Sequence, residues 1–169
     1  MYISRITLDK YRNYGLLRLD LAPGLNVFLG ENAQGKTNLL EAVYFTSIGR
    51  SMRTPRDKEL IMWGEERAGL RADAVGRGGK SRVEIVLDKR ANKRLAINGA
   101  EVRKLGELMG VIMTVLFSPD EISIIKDSPG DRRRFMDIAI CQISRSYFYL
   151  LSRLSLIHIS EPTRRSYIS

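Results

Sequence analysis

The sequence predicts an α/β fold, and three observations support this interpretation. Short segments in which apolar and polar residues alternate fill most of the first hundred residues, as in half-buried strands. One helical pattern, running from Lys36 to Ile48 and followed by Gly49 as a stop signal, lies among them. An apolar run at 25–29 leads directly into a glycine-containing loop, so a strand, a loop and a helix are expected in that order.

Further strands are expected from the same alternation, and one from a different pattern. Residues 111–117 are almost uninterrupted apolar, which is typical of a strand buried on both faces of a parallel sheet. Asn98 and Gly99 form a strong tight-turn pair after one of the alternating segments. A mixed sheet with an antiparallel portion is therefore predicted. The alternating segments are 3–8, 17–21, 68–75, 83–87 and 93–97.

Two helix starts follow the apolar run, and both use the same chemistry. Ser118-Pro119 with Glu121, and Ser128-Pro129 with Asp131, each place a capping serine before a proline of the first turn and an acid that reaches back. The second helix carries an apolar stripe at helical spacing, so it needs a surface to cover it. The stripe consists of Phe135, Ile138, Ala139, Ile143, Tyr147, Leu150 and Leu154.

Composition and charge narrow the classes of function. At 169 residues the chain is long enough for one compact domain, with room for a fragment of a second. No apolar stretch approaches the ~18 residues of a membrane span, and the N-terminus lacks an export signal, so a cytoplasmic protein with no membrane partner is expected. The formal net charge of +9 favours nucleic acid as a partner. The single cysteine, Cys141, falls in an apolar helical pattern and is expected to be a buried, unreactive thiol.

The segment 30–37 matches the phosphate-binding motif GxxxxGK[ST] at every fixed position. In such a loop the glycines let the backbone curl, so successive amides point inward and hydrogen-bond phosphate oxygens. The helix that follows aims its positive end at the same charge. We expect ATP with magnesium, with Lys36 reaching the β- and γ-phosphates as the candidate catalytic residue and the Thr37 hydroxyl coordinating the metal. The candidate nucleotide-binding residues of the loop are Gly30, Glu31, Asn32, Ala33, Gln34, Gly35, Lys36 and Thr37.

Hydrolysis of ATP would need more than this loop. A P-loop ATPase uses a carboxylate after an apolar strand to hold magnesium, and usually a second group to orient the attacking water. Asp88 follows an apolar segment, but the charged residues after it are typical of the end of a surface hairpin. Asp120 and Glu121 follow an apolar run only after the expected start of a helix. The hydrolytic half of the machinery is therefore expected to be missing.

Several separated blocks of the sequence recur together in one known family. They are Tyr11-Arg12-Asn13-Tyr14, the stretch GENAQGKTNLLEA from Gly30 to Ala42, Gly49-Arg50-Ser51 with Arg53-Thr54, Phe117-Ser118-Pro119-Asp120, and Ser128-Pro129 with Arg132-Arg133-Arg134-Phe135-Met136-Asp137. On these blocks the chain closely resembles bacterial RecF, and the resemblance covers about residues 1–154.

The resemblance implies the ATPase lobe of an ABC- and SMC-type head, with ATP and Mg²⁺ as cofactors. It places Arg12 and Asn13 beside the nucleotide, although the residues alone are typical of an ordinary polar turn between strands. It also implies recombinational repair at gapped DNA, in DNA replication and the SOS response to DNA damage, with the mediators RecO and RecR helping to load RecA. DNA, single- or double-stranded, would be bound without regard to sequence. Family members dimerise around two ATP molecules, and a signature loop of the partner completes each site.

The same resemblance divides the chain into an ATP-binding lobe at 1–127, the first helix of a helical second lobe at 128–154, and a tail at 155–169. No Ser-Gly-Gly signature segment follows the loop, because this segment and the magnesium-binding acid lie in the family's C-terminal part. An N-terminal fragment without efficient ATP turnover is therefore expected. The tail is similar to translated adapter or vector sequence and is expected to be foreign and disordered. It contains His158, the only histidine, so no histidine base or histidine metal site is expected.

Two clusters rich in arginine are candidates for contact with the phosphate backbone of DNA. The first lies along the loop expected after the first helix. The second lies in the first turns of the later helix, where positive charge opposes the helix dipole and needs a reason beyond helix stability. A solvated face would explain both clusters equally well, and acids of a following lobe would explain the second. The residues are Arg50, Arg53, Arg56 and Lys58 in the first cluster, and Arg132, Arg133 and Arg134 in the second.

The sequence thus favours the N-terminal ATP-binding lobe of a RecF-like clamp that holds DNA under the control of ATP. Two alternatives stay open. A small P-loop nucleotide or metabolite kinase would be complete at this length, but it needs an acceptor pocket with a carboxylate base that the sequence does not reveal. A non-catalytic nucleotide-binding fragment would bind DNA in a manner that ATP does not change.

Overall fold

A computed structural model of the protein describes residues 1–117 and 129–160. Its centre is a six-stranded antiparallel sheet. The strands lie in the order β2, β1, β3, β4, β5, β6, and each is antiparallel to its neighbours. All five strands predicted from alternation are confirmed. The strands are β1 (Tyr2–Tyr11), β2 (Tyr14–Asp20), β3 (Arg67–Gly76), β4 (Gly79–Asp88), β5 (Arg94–Ile97) and β6 (Ala100–Val102).

Five helical segments accompany the sheet within residues 1–117 and 129–160. The helix α1 begins directly after the candidate phosphate loop and ends before Gly49, as predicted. Gly49 takes a left-handed φ of 71° and its N–H donates to the Phe45 carbonyl, which closes the helix. The segments are α1 (Lys36–Ile48), a 3-10 helix (Asp57–Leu60), α2 (Leu105–Leu108), α3 (Pro129–Ile143) and α4 (Arg145–Ser160).

One face of the sheet is apolar and packs against α1. The register aligns Leu8 of β1 with Leu70 of β3, and Leu70 with Ile85 of β4, so that one row of large side chains crosses three strands. All three side chains are buried, and Phe45 of α1 is fully buried with them in the same core. Alternation along each strand fixes this register, because a slip by one residue would move the whole apolar set to the solvent side.

The opposite face of the sheet is covered by ion pairs between neighbouring strands. Arg5 of β1 contacts Asp20 of β2 at 2.5 Å, and Arg82 of β4 contacts Asp73 of β3 at 2.6 Å. These side chains are partly exposed, so each pair contributes little stability by itself. Opposite charges directly across the strands do favour this register over its neighbours. This face is therefore a solvated surface with its charges balanced.

The predicted tight turn at Asn98-Gly99 is confirmed. Both residues have positive φ, 53° and 84°, and Ile97 pairs with Ala100 across the turn. Two consecutive left-handed residues between paired strands are the geometry of a type I′ hairpin, which asparagine and glycine adopt most readily.

Two other predicted strands are wrong. Residues 25–29 and 111–117, which both lie in the described part of the chain, adopt no strand. Leu29 is 89% exposed and Val115 is 87% exposed. A strand that is apolar on both faces needs a neighbour on each side and a layer on each face, and the antiparallel sheet offers these segments neither. Near Thr114 the backbone instead pairs with a side chain, because Gln142 accepts from the Thr114 N–H at 2.8 Å and donates to its carbonyl at 3.0 Å.

The prediction of one continuous helix through Leu154 is also wrong, because the helix is interrupted at Ser144, between α3 and α4. The Ser144 hydroxyl accepts a hydrogen bond from the Tyr147 N–H at 3.3 Å, so this serine starts a new helix. The predicted apolar stripe is divided, and Ile143 at its centre is exposed. The helix start at Ser118 and the capping serine at 128 lie outside the described residues.

A second, smaller core joins α1 to the two later helices. Ile48, Met109 and Cys141 are its buried members. The Cys141 side chain is buried, as predicted, and burial raises the pKa of its thiol. The last helix, α4, continues to Ser160, six residues into the segment predicted as a foreign tail, and residues 161–169 lie outside the described part. Within residues 1–117 and 129–160, no helix combines the length and the apolar character needed to cross a membrane.

Candidate nucleotide-binding site

The candidate phosphate loop, residues 30–35, curls over the first turn of α1. Ala33 and Gly35 take left-handed φ values of 66° and 104°, which turn the backbone sharply before the helix begins. The first hydrogen bond of the helix runs from the Leu39 N–H to the Gly35 carbonyl, so the amides of the first turn have no partner within the helix. Within the described residues, α1 has neither a side-chain cap nor an acid in its first turn. Its N-terminal amides and positive dipole end are therefore suited to an anion.

Lys36 folds back over the loop. Its ammonium donates to the Gly30 carbonyl at 2.5 Å and to the Glu31 carbonyl at 2.6 Å. Both acceptors belong to the loop itself, so the positive charge lies within the curve that a phosphate would enter. Thr37 follows in the first turn of α1 and is exposed. The motif thus brings together a cation, free amides and a hydroxyl in eight residues.

The turn between β1 and β2 packs directly on the loop. Asn13 donates to the Gln34 carbonyl at 3.2 Å, and the Tyr14 hydroxyl donates to the Gly35 carbonyl at 3.1 Å. A methyl group on Gly35 would lie 2.7 Å from the Asn13 amide nitrogen and 2.9 Å from the Tyr14 hydroxyl. Glycine is therefore required at position 35 for two reasons, its left-handed φ and the close approach of the turn.

Arg12, the other residue of this turn, points to a carboxylate inside the protein. Its Nε and one terminal nitrogen donate to the two oxygens of Glu41, both at 2.9 Å, and its other terminal nitrogen donates to the Glu59 carbonyl at 3.1 Å. Glu41 lies on α1 and is completely buried. Burial tends to raise the pKa of the Glu41 carboxyl, but the hydrogen bonds from Arg12 and Ser51 and the nearby arginine charges hold it below its ordinary value. Glu41 is therefore ionised and paired.

The segment that follows α1, residues 50–58, is named the basic loop here. The Ser51 hydroxyl donates to Glu41 at 2.5 Å, and the same hydroxyl oxygen accepts from the N–H groups of Arg53 and Thr54 at 3.0 and 3.2 Å. The Thr54 hydroxyl donates to Glu59 at 2.5 Å. One serine thus joins the backbone of the basic loop to the buried carboxylate of the helix.

A second connection links the basic loop to the phosphate loop along the surface. The Arg53 guanidinium donates to the Asn38 side chain at 3.1 Å, Asn38 donates to Asn13 at 2.8 Å, and Asn13 donates to the Gln34 carbonyl. Every hydrogen bond in this series runs in the same direction. Arg53, a DNA candidate, and Asn13, a nucleotide candidate, are therefore two hydrogen bonds apart.

The remaining DNA candidates are exposed. The first cluster lies entirely in the basic loop, where Arg56 forms a loose pair with Glu59 at 3.7 Å. The second cluster lies at the start of α3, which is the helix predicted to carry it. The exposed candidates of the two clusters are Arg50, Arg53, Arg56 and Lys58, and Arg132, Arg133 and Arg134.

The carboxylate considered for magnesium within the described chain is engaged elsewhere. Asp88 ends β4, accepts from the Arg90 N–H at 2.8 Å and pairs with Arg67 at 2.6 Å. These contacts hold the pKa of the Asp88 carboxyl below its usual range. This geometry is that of a hairpin end, as predicted. Asp120 and Glu121 lie outside the described residues.

Sequence reasoning missed the role of Glu41 and Ser51. Glu41 occurs in a helical segment where its neighbours Leu39, Ala42 and Phe45 are core residues. The available signal was the position itself, since an acid placed between core positions of a helix needs a buried cation or hydroxyl as a partner. Its partners lie 29 residues before it and 10 residues after it, so the pattern alone does not identify them.

The geometry of the loop and sheet agrees with comparisons with known proteins. A family model described as AAA domain matches residues 5–149. A solved structure from work on ATP-driven dimerisation and DNA-stimulated activation of SMC ATPases is similar in fold, with a TM-score of 0.67 at 19% identity, and the match covers 82% of this chain and 99% of that one. The chain belongs to the AAA domain family, and its fold is that of the P-loop ATPase heads of the RecF and SMC type.

Within this class the likeness is to RecF, which confirms the resemblance drawn from the sequence. The DNA replication and repair protein RecF of Clostridium botulinum strain Eklund 17B is 43% identical over 157 residues, which are 93% of this chain and 44% of that protein. A solved structure of the recombination mediator protein RecF–ATP of the RecFOR pathway has a TM-score of 0.84 and 34% identity, covering 98% of this chain and 47% of that one. The chain therefore spans less than half the length of these RecF relatives.

Replacement of Gly35 by alanine tests the packing of the turn on the loop. We expect Gly35→Ala to lower the free energy of unfolding by about 1–3 kcal/mol, because the new methyl group meets Asn13 and Tyr14 in a backbone conformation that alanine adopts poorly. Urea denaturation measures the change. Gly79→Ala is the matched control, since Gly79 has nearly the same φ, 103°, and a methyl group there meets nothing within 4 Å. Equal losses in the two variants would contradict the proposed packing.

The Glu41 carboxylate should make stability depend on acid. Its pKa in the folded protein lies below the ordinary value of 4.5, so its contribution is fully present above that value and is lost as the pH falls through the lower, folded pKa. We expect Glu41→Gln to cost on the order of 3 kcal/mol at neutral pH, since it leaves Arg12 without its partner charge. Urea denaturation from pH 7 to pH 3 should show the difference from wild type shrinking below pH 4.5.

Glu84→Gln serves as the control for this pH series, because Glu84 pairs with Arg71 on the exposed face of the sheet. An exposed pair contributes about 1 kcal/mol or less, so this variant should follow the wild-type curve closely. A gap between wild type and Glu41→Gln that stays constant down to pH 3 would show that ionisation of Glu41 is not the cause.

Proposed function

We propose that this chain is the ATP-binding lobe of a RecF-like DNA repair protein, in which ATP controls the hold on DNA. The observation that carries the proposal is the complete phosphate loop, with the Lys36 ammonium inside its curve and the uncapped start of α1 beneath it. The similarity to a RecF–ATP structure over 98% of the chain supports ATP as the ligand.

The residues of the loop suit a nucleotide with magnesium. The triphosphate would accept hydrogen bonds from the loop amides and from the first turn of α1, and Lys36 would exchange its two carbonyl contacts for phosphate oxygens. Thr37 would offer its hydroxyl to the magnesium ion, which supplies charge neutralisation between the β- and γ-phosphates. Asn13 and Tyr14 would hold the loop in the curvature that this requires. Arg12 is placed by its contacts to support the turn.

ATP turnover would require groups beyond this loop. A carboxylate for magnesium and a group that orients water are needed, and Asp88 is committed to Arg67 and the Arg90 amide. We therefore propose nucleotide binding for this chain itself. The RecF relatives are more than twice as long as this chain. We propose hydrolysis, and the dimer that closes around two ATP molecules, for a protein of that full length.

DNA binding is proposed for the exposed basic residues. The basic loop and the start of α3 present seven cationic side chains, and such side chains bind backbone phosphates without reading the base sequence. The net charge of +9 would draw either single- or double-stranded DNA toward the protein from a distance. We further propose that action at gapped DNA with RecO and RecR, and a cytoplasmic location, follow those of RecF.

Replacement of Lys36 tests the proposed ligand. We expect Lys36→Ala to weaken binding of a fluorescent ATP analogue with magnesium by about tenfold or more, because a charge-assisted hydrogen bond contributes on the order of 1.5–3 kcal/mol. Fluorescence anisotropy measures the dissociation constant. Lys80→Ala is the control, since Lys80 lies by Val75 at the end of the sheet away from the β1–β2 turn. Tight binding that survives Lys36→Ala would reject the loop as the site, and phosphate transfer to a small acceptor would favour a kinase instead.

Replacement of Arg50 tests the proposed contact with DNA. We expect Arg50→Ala to weaken binding to any duplex or single strand to a similar extent and to reduce the slope of log K against log salt by about 1, as the loss of one phosphate contact should. Binding is measured by anisotropy of labelled DNA at several salt concentrations. Arg18→Ala removes the same charge from β2, where Arg18 is exposed, and should leave the slope unchanged. Equal slopes for both variants would exclude Arg50 as a contact to backbone phosphate.

A further inference from the structure

Three segments that are distant in the sequence meet at one buried carboxylate. Glu41 on α1 accepts two hydrogen bonds from Arg12 of the β1–β2 turn and one from Ser51 of the basic loop. The carboxylate is completely buried, and the Tyr11 side chain beside it is completely buried as well. A buried ion is costly unless every oxygen is engaged, so this arrangement tolerates little movement of any partner.

The first connection leads from Glu41 to the phosphate loop. Arg12 has a left-handed φ of 52°, which is unfavourable for an arginine and persists only where the surroundings enforce it. The Arg12 N–H donates to the Leu60 carbonyl at 2.8 Å, and its guanidinium is fixed by Glu41. This strained residue directly precedes Asn13 and Tyr14, which contact the loop at Gln34 and Gly35. The carboxylate thus sets the position of the turn that supports the loop.

The second connection leads from Glu41 to the basic loop. The Ser51 hydroxyl uses its hydrogen for Glu41 and its oxygen for two backbone N–H groups, those of Arg53 and Thr54. The hydroxyl is therefore the link between the helix and the backbone of a segment whose cationic side chains are exposed. Loss of the hydroxyl would release two amides of the basic loop while leaving the Arg12–Glu41 pair intact.

We propose that Glu41 is a positioning residue that, through Arg12 and Ser51, couples the order of the basic loop to the presence of a nucleotide in the phosphate loop. The inference rests on the proposed function, since a nucleotide must first enter the loop. On entry Lys36 leaves the Gly30 and Glu31 carbonyls, and the loop tightens around the phosphates. The change reaches Asn13 through Gln34, then Arg12, and finally the carboxylate that Arg12 shares with Ser51.

Hydrogen exchange of the 169-residue chain tests the coupling. Exchange is measured for the amides of residues 50–56 without ligand and with magnesium and a non-hydrolysable ATP analogue. In the wild type the analogue should slow exchange at Arg53 and Thr54 by about fivefold or more, which is the lower end of ordinary coupling between sites. Binding of a fluorescent form of the same analogue is measured separately for every variant.

Two variants interrupt the connection at different points, and two controls accompany them. Ser51→Ala and Glu41→Gln should still bind the analogue, with a dissociation constant raised by about tenfold at most, but should lose the ligand-dependent slowing of exchange. The surface series through Asn13 and Asn38 ends on the Arg53 side chain, whereas the amides that are followed donate to Ser51. Ser51→Thr restores a hydroxyl and should restore the slowing. Glu84→Gln removes a carboxylate from an exposed ion pair and should behave like the wild type. If Glu41→Gln does not fold, Ser51→Ala decides, because it removes only one hydroxyl.

The outcomes separate the two proposals. Wild-type protein that binds the analogue without any change in exchange at 50–56 would overturn the coupling and leave the proposed function standing. Retention of the wild-type response by Ser51→Ala or Glu41→Gln would overturn the role of Glu41. Wild-type protein that does not bind the analogue would overturn the proposed function, and the coupling would fall with it.

Discussion

The contact between the β1–β2 turn and Gly35 is the constraint on which the rest of the site depends. A phosphate loop works only if its backbone holds a curve in which successive amides point inward. Residues 21–29, which lead directly into the loop, adopt no strand, so the support comes from the β1–β2 turn. Asn13 donates to the Gln34 carbonyl and Tyr14 to the Gly35 carbonyl. Glu41 in turn fixes the β1–β2 turn through its hydrogen bonds with Arg12.

Local patterns predicted five of the six strands of the antiparallel sheet, but not the order in which they pair. Strands such as β3 and β4 have one apolar face and one solvated face, and a short turn joins them, so their alternation and their pairing are both legible in nearby residues. The two segments predicted as buried parallel strands, 25–29 and 111–117, were different. Apolar residues on both faces of a strand must be covered by neighbouring strands and helices. The neighbours of a parallel strand come from distant parts of a chain, so nearby residues do not reveal them. The relatives are more than twice as long, which leaves ample sequence for such neighbours.

The candidate site divides in the same way. The eight residues of the phosphate loop could be identified because they are consecutive, and the helix that begins within them has its own stop signal in Gly49. The buried contacts of Glu41 with Arg12 and Ser51 could not be identified from the sequence, because the fold brings these distant residues together. Arg12 resembles an ordinary turn residue and Ser51 an ordinary loop residue until the sheet and α1 bring both to Glu41. A charged residue at a core position of a helix is a signal that a partner exists, but it does not say which residue that partner is.

The central claim is that the backbone amides of residues 30–37 bind the phosphates of a nucleotide. The most direct test is a titration of ¹⁵N-labelled protein with magnesium and a non-hydrolysable ATP analogue, followed by two-dimensional nitrogen–proton NMR. We expect the largest saturable amide shifts between Gly30 and Thr37, in proportion to bound ligand. Saturable shifts centred on another part of the molecule, or an unchanged loop at high ligand concentration, would contradict it.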